Sequence, residues 1–373
     1  MKKALITVHL GRHFKKFGHY DYQVLLDLGY EVHIASNFKD DLDHFFDDRV
    51  IKHQVDFQRN PFSFKNIVAY KQLKLLLNSN SYDLIHTQSP SGGVVTRIAH
   101  MNSSNKHKSK LLYTPHGYHF YKGSPKYYWY IFYNIEKFLL KVTDFVITIN
   151  EEDYNITIGR MGCKTNKVYK IPGVGVDTNK FTPVNNYEKL SLRRKYGFEE
   201  NDFLLISIGE FITRKNQIEL IRSLESNKND QIKMLLIGTG RNEESLKKLV
   251  MEKNLSNKII FLGQRSDIRE LLQLADIIIS SSKQEGLPLS ILEGMATGLP
   301  IVVSDSRGNR DLVKNNGWIY KNGTEDSLIK LVTILKNDKR KYLEFSQNSR
   351  KNSLDYSLEN VQKIMKKIYS EIY

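Results

Sequence analysis

Glu285 and Glu293 stand eight residues apart, and the chain around them, Ala275 to Val313, limits what two such carboxylates could do. An apolar strand, Asp276–Ser280, leads into a polar loop carrying Glu285-Gly286-Leu287-Pro288. The pattern predicts a helix from about Leu289 to Thr297 with Glu293 one turn inside it. Gly298-Leu299-Pro300 then turns the chain into a second strand, Ile301–Ser304. A helix N-terminus presents unpaired N–H groups and a partial positive charge, so it is a natural seat for phosphate. Carboxylates on either side accept hydrogen bonds from hydroxyls flanking that phosphate. Phosphate with hydroxyls on both sides describes a sugar nucleotide.

A second constellation is Gly209-Glu210-Phe211-Ile212-Thr213-Arg214-Lys215-Asn216. A strand ending in Gly, followed by basic residues ahead of a helix, can neutralise a diphosphate; read bare, Lys215 is a solvated basic turn. Glu285 read bare is likewise a solvated loop charge, but it precedes a Gly, a Pro and a helix start. Glu293, beside Leu292 and Met295 on a helix that reads as buried, needs a partner, because an unpaired buried carboxylate is costly. Gly238-Thr239-Gly240 lacks the third Gly of a dinucleotide fingerprint and reads as a tight turn shaping a nucleotide pocket. All eleven histidines fall between His9 and His119. His116 is set apart by its place directly after a strand, in the Gly/Pro turn Tyr113–Gly117, where it suits either binding or proton handling. Asp41-Leu42-Asp43 imitates a metal-binding D-x-D motif, but within the acidic stretch Asp40 to Asp48 it reads as a solvated face. No metal is expected if Lys215 and a helix dipole take the diphosphate charge.

Short apolar strands alternating with helical stretches must position these groups, the pattern of parallel α/β sheets. Strands are expected at Ala4–Val8, Glu31–Ala35, Leu84–Thr87, Leu111–Thr114, Phe145–Thr148 and Val168–Ile171, with helices at Phe64–Leu77 and Tyr127–Val142. A hinge is expected at Ile171–Asp177. Strands resume at Phe203–Ile208, Lys233–Ile237, Lys258–Leu262, Asp276–Ser280 and Pro300–Ser304, and a charged, aromatic helix, Ser357–Tyr369, closes the chain. A length of 373 residues suits two domains, and 40% hydrophobic with 26% charged residues suits a soluble globular protein. The start MKKALITVHL reads as a first buried strand, since its apolar run stops at Gly11-Arg12-His13. The single cysteine, Cys163, excludes an internal disulfide and a multi-cysteine metal site. The net charge of +15 is scattered along the chain; without an RNP-like motif, zinc finger or basic heptads, nucleic acid is not expected as a partner. Between Phe120 and Val142, aromatics (Trp129 and Tyr130 among them) interleave with lysines, as in helices that lie at lipid headgroups; burial against the first sheet is the alternative.

With its flanking strands, the pair Glu285 and Glu293 resembles the E-x7-E signature of family-4 retaining glycosyltransferases of the GT-B fold. The run Gly117-Tyr118-His119-Phe120-Tyr121-Lys122-Gly123 resembles the bacterial exopolysaccharide branch of that family. The resemblance spans most of the chain and is strongest at 111–153 and 258–313. It implies an α/β protein of two Rossmann-like domains whose parallel sheets face each other across a cleft. Residues 1–177 would be the acceptor domain, 178–356 the nucleotide-sugar domain, and 357–373 a helix packing back on the first domain. It implies a donor site of Gly11, Arg214, Lys215, Gly238, Arg265, Glu285, Gly286, Leu287, Leu289, Ser290 and Glu293, with Glu285, His116 and Lys215 as the catalytic set. Glu285 and the amides near Gly286 and Leu287 would hold the donor sugar, and Glu293 the ribose hydroxyls. Lys215 would hold the phosphates, the Gln264-Arg265 segment the base, and His116 would orient the donor sugar or its acceptor-side neighbours. Two departures stand out. Glu210 occupies the usual place of an Arg, so either Arg214 compensates or the pocket carries one positive charge fewer. Leu10-Gly11-Arg12-His13 replaces a Gly-Gly pair, leaving Arg12 or His13 as substitutes.

The activity implied is retaining, metal-independent transfer of a hexose or N-acetylhexosamine from a UDP-sugar, with no cofactor. The acceptor would be a polyprenyl-diphosphate-linked saccharide in exopolysaccharide or capsule synthesis. The enzyme would be cytoplasmic, peripheral at the inner face of the cell membrane, with an anionic membrane surface meeting 120–142. Two alternatives are a non-catalytic GT-B partner subunit, favoured by Glu210 and the altered first loop, and a GT-B sugar-nucleotide epimerase. A phosphorylase would need a cofactor lysine or a phosphate pocket, and neither stands out.

Overall fold

Apolar runs such as Leu204-Leu205-Ile206 and Met234-Leu235-Leu236-Ile237 are buried throughout, which is what a strand requires when helices cover both faces of its sheet. The computed structural model describes residues 1–14, 19–39, 47–225, 227 and 231–372. These form two units, 1–174 with 359–373, and 175–358.

The first unit holds β1 (Lys3–Thr7), β2 (Glu31–Ser36), β3 (Ile51–Gln54), β4 (Leu84–Gln88), β5 (Lys110–Thr114), β6 (Phe145–Thr148) and β7 (Val168–Lys170). Their order in the sheet is β3-β2-β1-β4-β5-β6-β7, every pair parallel. The second unit holds β8 (Phe203–Ile208), β9 (Ile232–Ile237), β10 (Ile259–Gly263), β11 (Ile277–Ser280), β12 (Ile301–Ser304) and β13 (Gly317–Tyr320). They run β10-β9-β8-β11-β12-β13, again parallel. Both sheets therefore reverse their winding beside their first strand, between β1 and β4 and between β8 and β11. Doubly wound sheets bind ligands at such switch points, beyond the carboxyl ends of the strands.

Helices cover the faces by the periodicity the sequence carries. In the helix Asn66–Ser79, Ala69, Leu73 and Leu77 recur every fourth residue and are buried. The terminal helix Leu358–Glu371 buries Val361, Met365, Ile368 and Tyr369 and belongs to the first unit. Strands β3 and β13 were not anticipated. Both are sheet edges, and the β3 sequence Ile-Lys-His-Gln is mostly exposed. The run 126–142 is helical throughout, with a widened turn at Trp129–Tyr133. Trp129 corrects one expectation. Its ring packs on Phe120 at 5.2 Å and its Nε1–H donates to Tyr121 O at 3.2 Å, so it belongs to the packing beneath this helix. Tyr130, its neighbour, is exposed.

Candidate functional site

In the second unit, the loops after β8 and β11 are fastened to one another at the switch point. Lys283 N–H donates to Arg214 O at 2.8 Å, and Ser281 Oγ lies 2.9 Å from Asn216 O. This brings Lys215 Nζ to 2.6 Å from Glu285 Oε1, with Arg214 Nη1 3.7 Å from Oε2. Both members of the closer pair are largely buried, at 16% and 7% side-chain exposure. Burial opposes the charge on Glu285, but Lys215 and Arg214 outweigh it and hold the carboxyl below its ordinary value. The site thus carries an ionised carboxylate and an ammonium side by side. An ammonium has three donors, so Lys215 can keep Glu285 and still reach an anion.

The helix Leu289–Ala296 begins behind Glu285. Pro288 provides no side-chain cap, which leaves the leading N–H groups for a ligand or water. Ser290 lines a small cavity with Lys215, Ser281 and Ser282. Leu287 and Leu289 pack against the apolar layer under this helix. Glu293, one turn in, has its pKa raised to about 7 by burial, which Lys180 only partly offsets. Its surroundings thus favour the protonated form, and hydroxyls donating to it would favour the charged one.

Arg307 and Gly308 were not singled out from the sequence. Arg307 is buried, and its Nε donates to Glu285 O at 2.9 Å. Gly308, at φ 75°, lies so close that an added Cβ would stand 2.3 Å from Gly286 O. The turn after β12 therefore clamps the backbone that carries Glu285. A basic residue and a Gly directly after the strand Ile301–Ser304 were the available signal. Gly238, at φ 135°, is required for a similar reason, since a Cβ there would meet Gly209 O at 2.1 Å. Its place is backbone packing between the β8 and β9 loops. Arg265, after β10, is paired with Asp267, to which Tyr196 OH also donates at 2.5 Å.

The first unit gathers its histidines at its own switch point. His13 Nε2 and His116 Nε2 lie 2.9 and 2.8 Å from the single oxygen Gln88 Oε1, at the end of β4. An amide oxygen only accepts, so both imidazoles carry the proton on Nε2, and His116 presents Nδ1 as an acceptor. Gln88 is oriented in turn by its Nε2–H, which donates to buried Asp21 at 2.7 Å. Tyr369 OH of the terminal helix lies 3.1 Å from Asp21 and 2.7 Å from His86 Nδ1, and His86 Nε2 lies 2.8 Å from Thr114 Oγ1. Burial lowers the pKa of His116 well below the ordinary value, and of His13 and His86 to about 4 and 3; neighbouring histidines reinforce it. Burial raises Asp21 to about 7. The imidazoles are therefore neutral near pH 7, suited to binding hydroxyls rather than to acting as charged acids. His116 also adopts φ 54°, a conformation non-glycine residues seldom hold. Gln88, Asp21 and Tyr369 were missed in the sequence, where nothing marks a Gln at a strand end or a Tyr far along the chain as neighbours of His116. Gly11 donates its N–H to Asn37 O at 2.9 Å. Among the described residues no three His, Cys, Asp or Glu side chains gather as metal ligands; Asp41 and Asp43 lie outside the described residues.

Two family models match the chain, "Glycosyl transferases group 1" over 188–352 and "Glycosyltransferase Family 4" over 22–180. EpsD of Bacillus subtilis (strain 168), a protein assigned to the glycosyltransferases, is 36% identical over 99% of this chain and 96% of its own length. An Escherichia coli UDP-Gal:alpha-D-GlcNAc-diphosphoundecaprenol alpha-1,3-galactosyltransferase is 29% identical over 86% of this chain and 83% of its own. Among solved structures, Anabaena HepE in complex with UDP-glucose superposes with a TM-score of 0.79 at 19% identity, covering all of both chains. By its fold and by these relatives, the chain belongs to the family-4 glycosyltransferases of the GT-B fold and is a glycosyltransferase.

Proposed function

We propose that this glycosyltransferase moves a hexose or N-acetylhexosamine from UDP to a polyprenyl-diphosphate-linked saccharide, with retention and without a metal, in bacterial surface-polysaccharide synthesis. The observation that carries the donor assignment is the Lys215–Glu285 pair with Glu293 behind it, at the switch point of the second sheet. Lys215, Arg214 and the leading amides of the helix Leu289–Ala296 supply positive charge for a diphosphate. Glu285 accepts from sugar hydroxyls and Glu293 from the ribose. The galactosyltransferase relative names a UDP-sugar donor and a diphosphoundecaprenol-linked acceptor, which supports both halves of the reading.

In the reaction, the bond from the anomeric carbon to the diphosphate oxygen breaks as the acceptor oxygen bonds to that carbon on the same face. The acceptor's proton passes to the departing phosphate. Charge developing on that phosphate is met by Lys215, an electrostatic contribution of the kind that dominates such transfers. His116, held neutral with Nδ1 accepting, orients a sugar hydroxyl. No helix among the described residues is long and apolar enough to cross a membrane. Access to a lipid-linked acceptor is assigned instead, on the interleaved aromatics and lysines of 120–142, to that segment resting on the inner face of the cell membrane from the cytoplasm.

The test is UDP release by the purified chain from a panel of UDP-hexoses and UDP-N-acetylhexosamines with a polyprenyl-diphosphate sugar acceptor, with and without EDTA. Turnover that survives EDTA and yields product of the donor's anomeric configuration is expected. Loss of turnover in EDTA that added Mg²⁺ or Mn²⁺ restores would overturn the metal-free reading. Inverted product would overturn retention.

A further inference from the structure

The amide of Gln88 could lie either way round, and the two orientations give His116 opposite polarity. As it stands, Oε1 faces His13 Nε2 and His116 Nε2 at 2.9 and 2.8 Å, and Gln88 Nε2 lies 2.7 Å from Asp21 Oδ2. Turned over, the amide would offer N–H to the imidazoles, which would then accept at Nε2 and carry their protons on Nδ1. Ionised Asp21 forbids that orientation by itself, because a carboxylate only accepts and would repel the amide oxygen. Protonated Asp21 does not forbid it, since a proton on Oδ2 would donate to the turned amide. Burial raises the Asp21 pKa to about 7, so both forms are accessible near neutrality.

The other carboxyl oxygen, Oδ1, belongs to a second row of partners. Tyr369 OH lies 3.1 Å from Asp21 Oδ1 and 2.7 Å from His86 Nδ1, and His86 Nε2 lies 2.8 Å from Thr114 Oγ1. With Asp21 ionised, His86 Nδ1–H donates to the phenol oxygen and the phenol donates to Oδ1. With Asp21 protonated, the row reverses. Oδ1–H donates to the phenol, the phenol to His86 Nδ1, and His86 Nε2–H to Thr114. Either direction partners each of these groups and keeps the proton off Oδ2. Asp21, His86, Gln88, Thr114 and Tyr369 are all buried, where an unpaired donor is costly.

We infer that Tyr369 and Asp21 are positioning residues: by holding any carboxyl proton on Oδ1, they keep Gln88 Oε1 towards the histidines and leave His116 Nδ1 an acceptor. The sugar hydroxyl it accepts from is that of the function proposed above, on which this role rests. A residue of the terminal helix thus sets the polarity of a site carried by the ends of β4 and β5.

Long-range proton–nitrogen correlation spectra of the full chain with isotope-labelled histidine read which ring nitrogen is protonated; His86→Asn and His116→Asn assign the signals. Tyr20 on its own helix, Tyr369 on the terminal helix and His86 on β4 surround Asp21, with His13 and His116 beyond Gln88. Burial keeps the two phenols and the three imidazoles neutral between about pH 6 and about pH 9. In the parent, His86 should carry its proton on Nε2 at about pH 6 and on Nδ1 at about pH 9, whereas His116 keeps Nε2–H at both. In Tyr369→Phe, most His116 should move its proton to Nδ1 at about pH 6 and return to Nε2 at about pH 9, where Asp21 is ionised. The acceptor KM of that variant should rise about fivefold over the parent at the lower pH, the worth of one hydrogen bond. It should equal the parent at the higher pH, with UDP binding parental at both. A His86 proton that stays on one nitrogen in the parent overturns the inference without recourse to any variant that must fold. So does a His116 in Tyr369→Phe that keeps Nε2–H at the lower pH. Tautomers that shift as stated while the acceptor KM stays parental would uphold the positioning role and sink the reading that His116 binds the acceptor.

Discussion

Glu293→Gln should make the protein more stable and its nucleotide site worse, and the size of the first effect follows from burial. The folded carboxyl has its pKa raised from 4.5 to about 7. Between those values the folded chain holds a proton that the unfolded chain has released. The stability this group contributes is therefore complete below the unfolded value, falls as pH rises, and is gone once the folded pKa is passed. The gap corresponds to at most about 3 kcal/mol at alkaline pH. Gln carries no charge at any pH, so the variant should match the parent near about pH 4 and exceed it at about pH 8. For a unit of this size that difference amounts to roughly 6–12 °C in Tm. The proposed function adds a second signature. Ribose hydroxyls donate best to the ionised form, so UDP binding to the parent near neutral pH should release a proton. Titration calorimetry in two buffers of different ionisation enthalpy reads that proton directly. The variant should release none and should bind UDP about tenfold or more weakly, the cost of losing a hydrogen bond to a charged group. A variant that melts with the parent at both pH values, and binds UDP as tightly, would refute both the buried carboxyl and the ribose assignment.

Three further outcomes follow from the same geometry. Lys215→Met leaves Glu285 buried beside Arg214 alone and should cost about 3 kcal/mol or more of stability, whereas adding Glu285→Gln should recover most of it without restoring turnover; thermal melts and UDP release separate the two effects, and a melt unchanged by the single substitution would show the pair to be solvated. Gly308→Ala forces a Cβ to within 2.3 Å of Gly286 O, so turnover should fall with a lowered melting temperature, and an alanine variant with parental kcat would show that the clamp does not position Glu285. Gln88→Leu removes the shared acceptor of His13 and His116 and should cost about 1–3 kcal/mol while raising the acceptor KM more than it weakens UDP; equal effects on donor and acceptor would sink the hydroxyl-binding role of the cluster.

Most of the strands that the sequence revealed are buried on both faces, because burial writes an uninterrupted apolar run, and the edge strands β7 and β10 were revealed only because their own residues are largely apolar. β3, a sheet edge, is the polar and mostly exposed Ile-Lys-His-Gln, and β13, another, is a four-residue strand whose apolar Trp-Ile-Tyr is too short to tell from a loop. The positions of Glu285 and Glu293 were legible because a local pattern (strand, loop, Gly-Pro, helix) places them without reference to distant chain. The clamp by Arg307 depends on a contact across 22 residues, and the Asp21–Tyr369 contact spans 348. Such contacts exist only once sheet order has brought strand ends together. Trp129 and Tyr130, adjacent in sequence, part company for a related reason: neighbouring positions on a helix face different ways, so one packs on Phe120 and the other meets solvent.

Sheet order also explains why Lys215 and Glu285 meet at all, as the proposed donor site requires. The β8 and β11 loops that carry them emerge side by side only because the winding reverses there, and the Lys283–Arg214 and Ser281–Asn216 bonds then fix their spacing. The resulting ion pair poses a question for any anionic donor, since a diphosphate must approach a cation that is already paired. An ammonium resolves it by geometry. One N–H stays on Glu285 at 2.6 Å, and two remain for phosphate. A guanidinium in its place would commit a planar fork to the carboxylate and turn its remaining donors along fixed directions. The departure at Glu210 is compatible with the proposed diphosphate site, since Lys215 and Arg214 of the same loop both lie within 4 Å of Glu285.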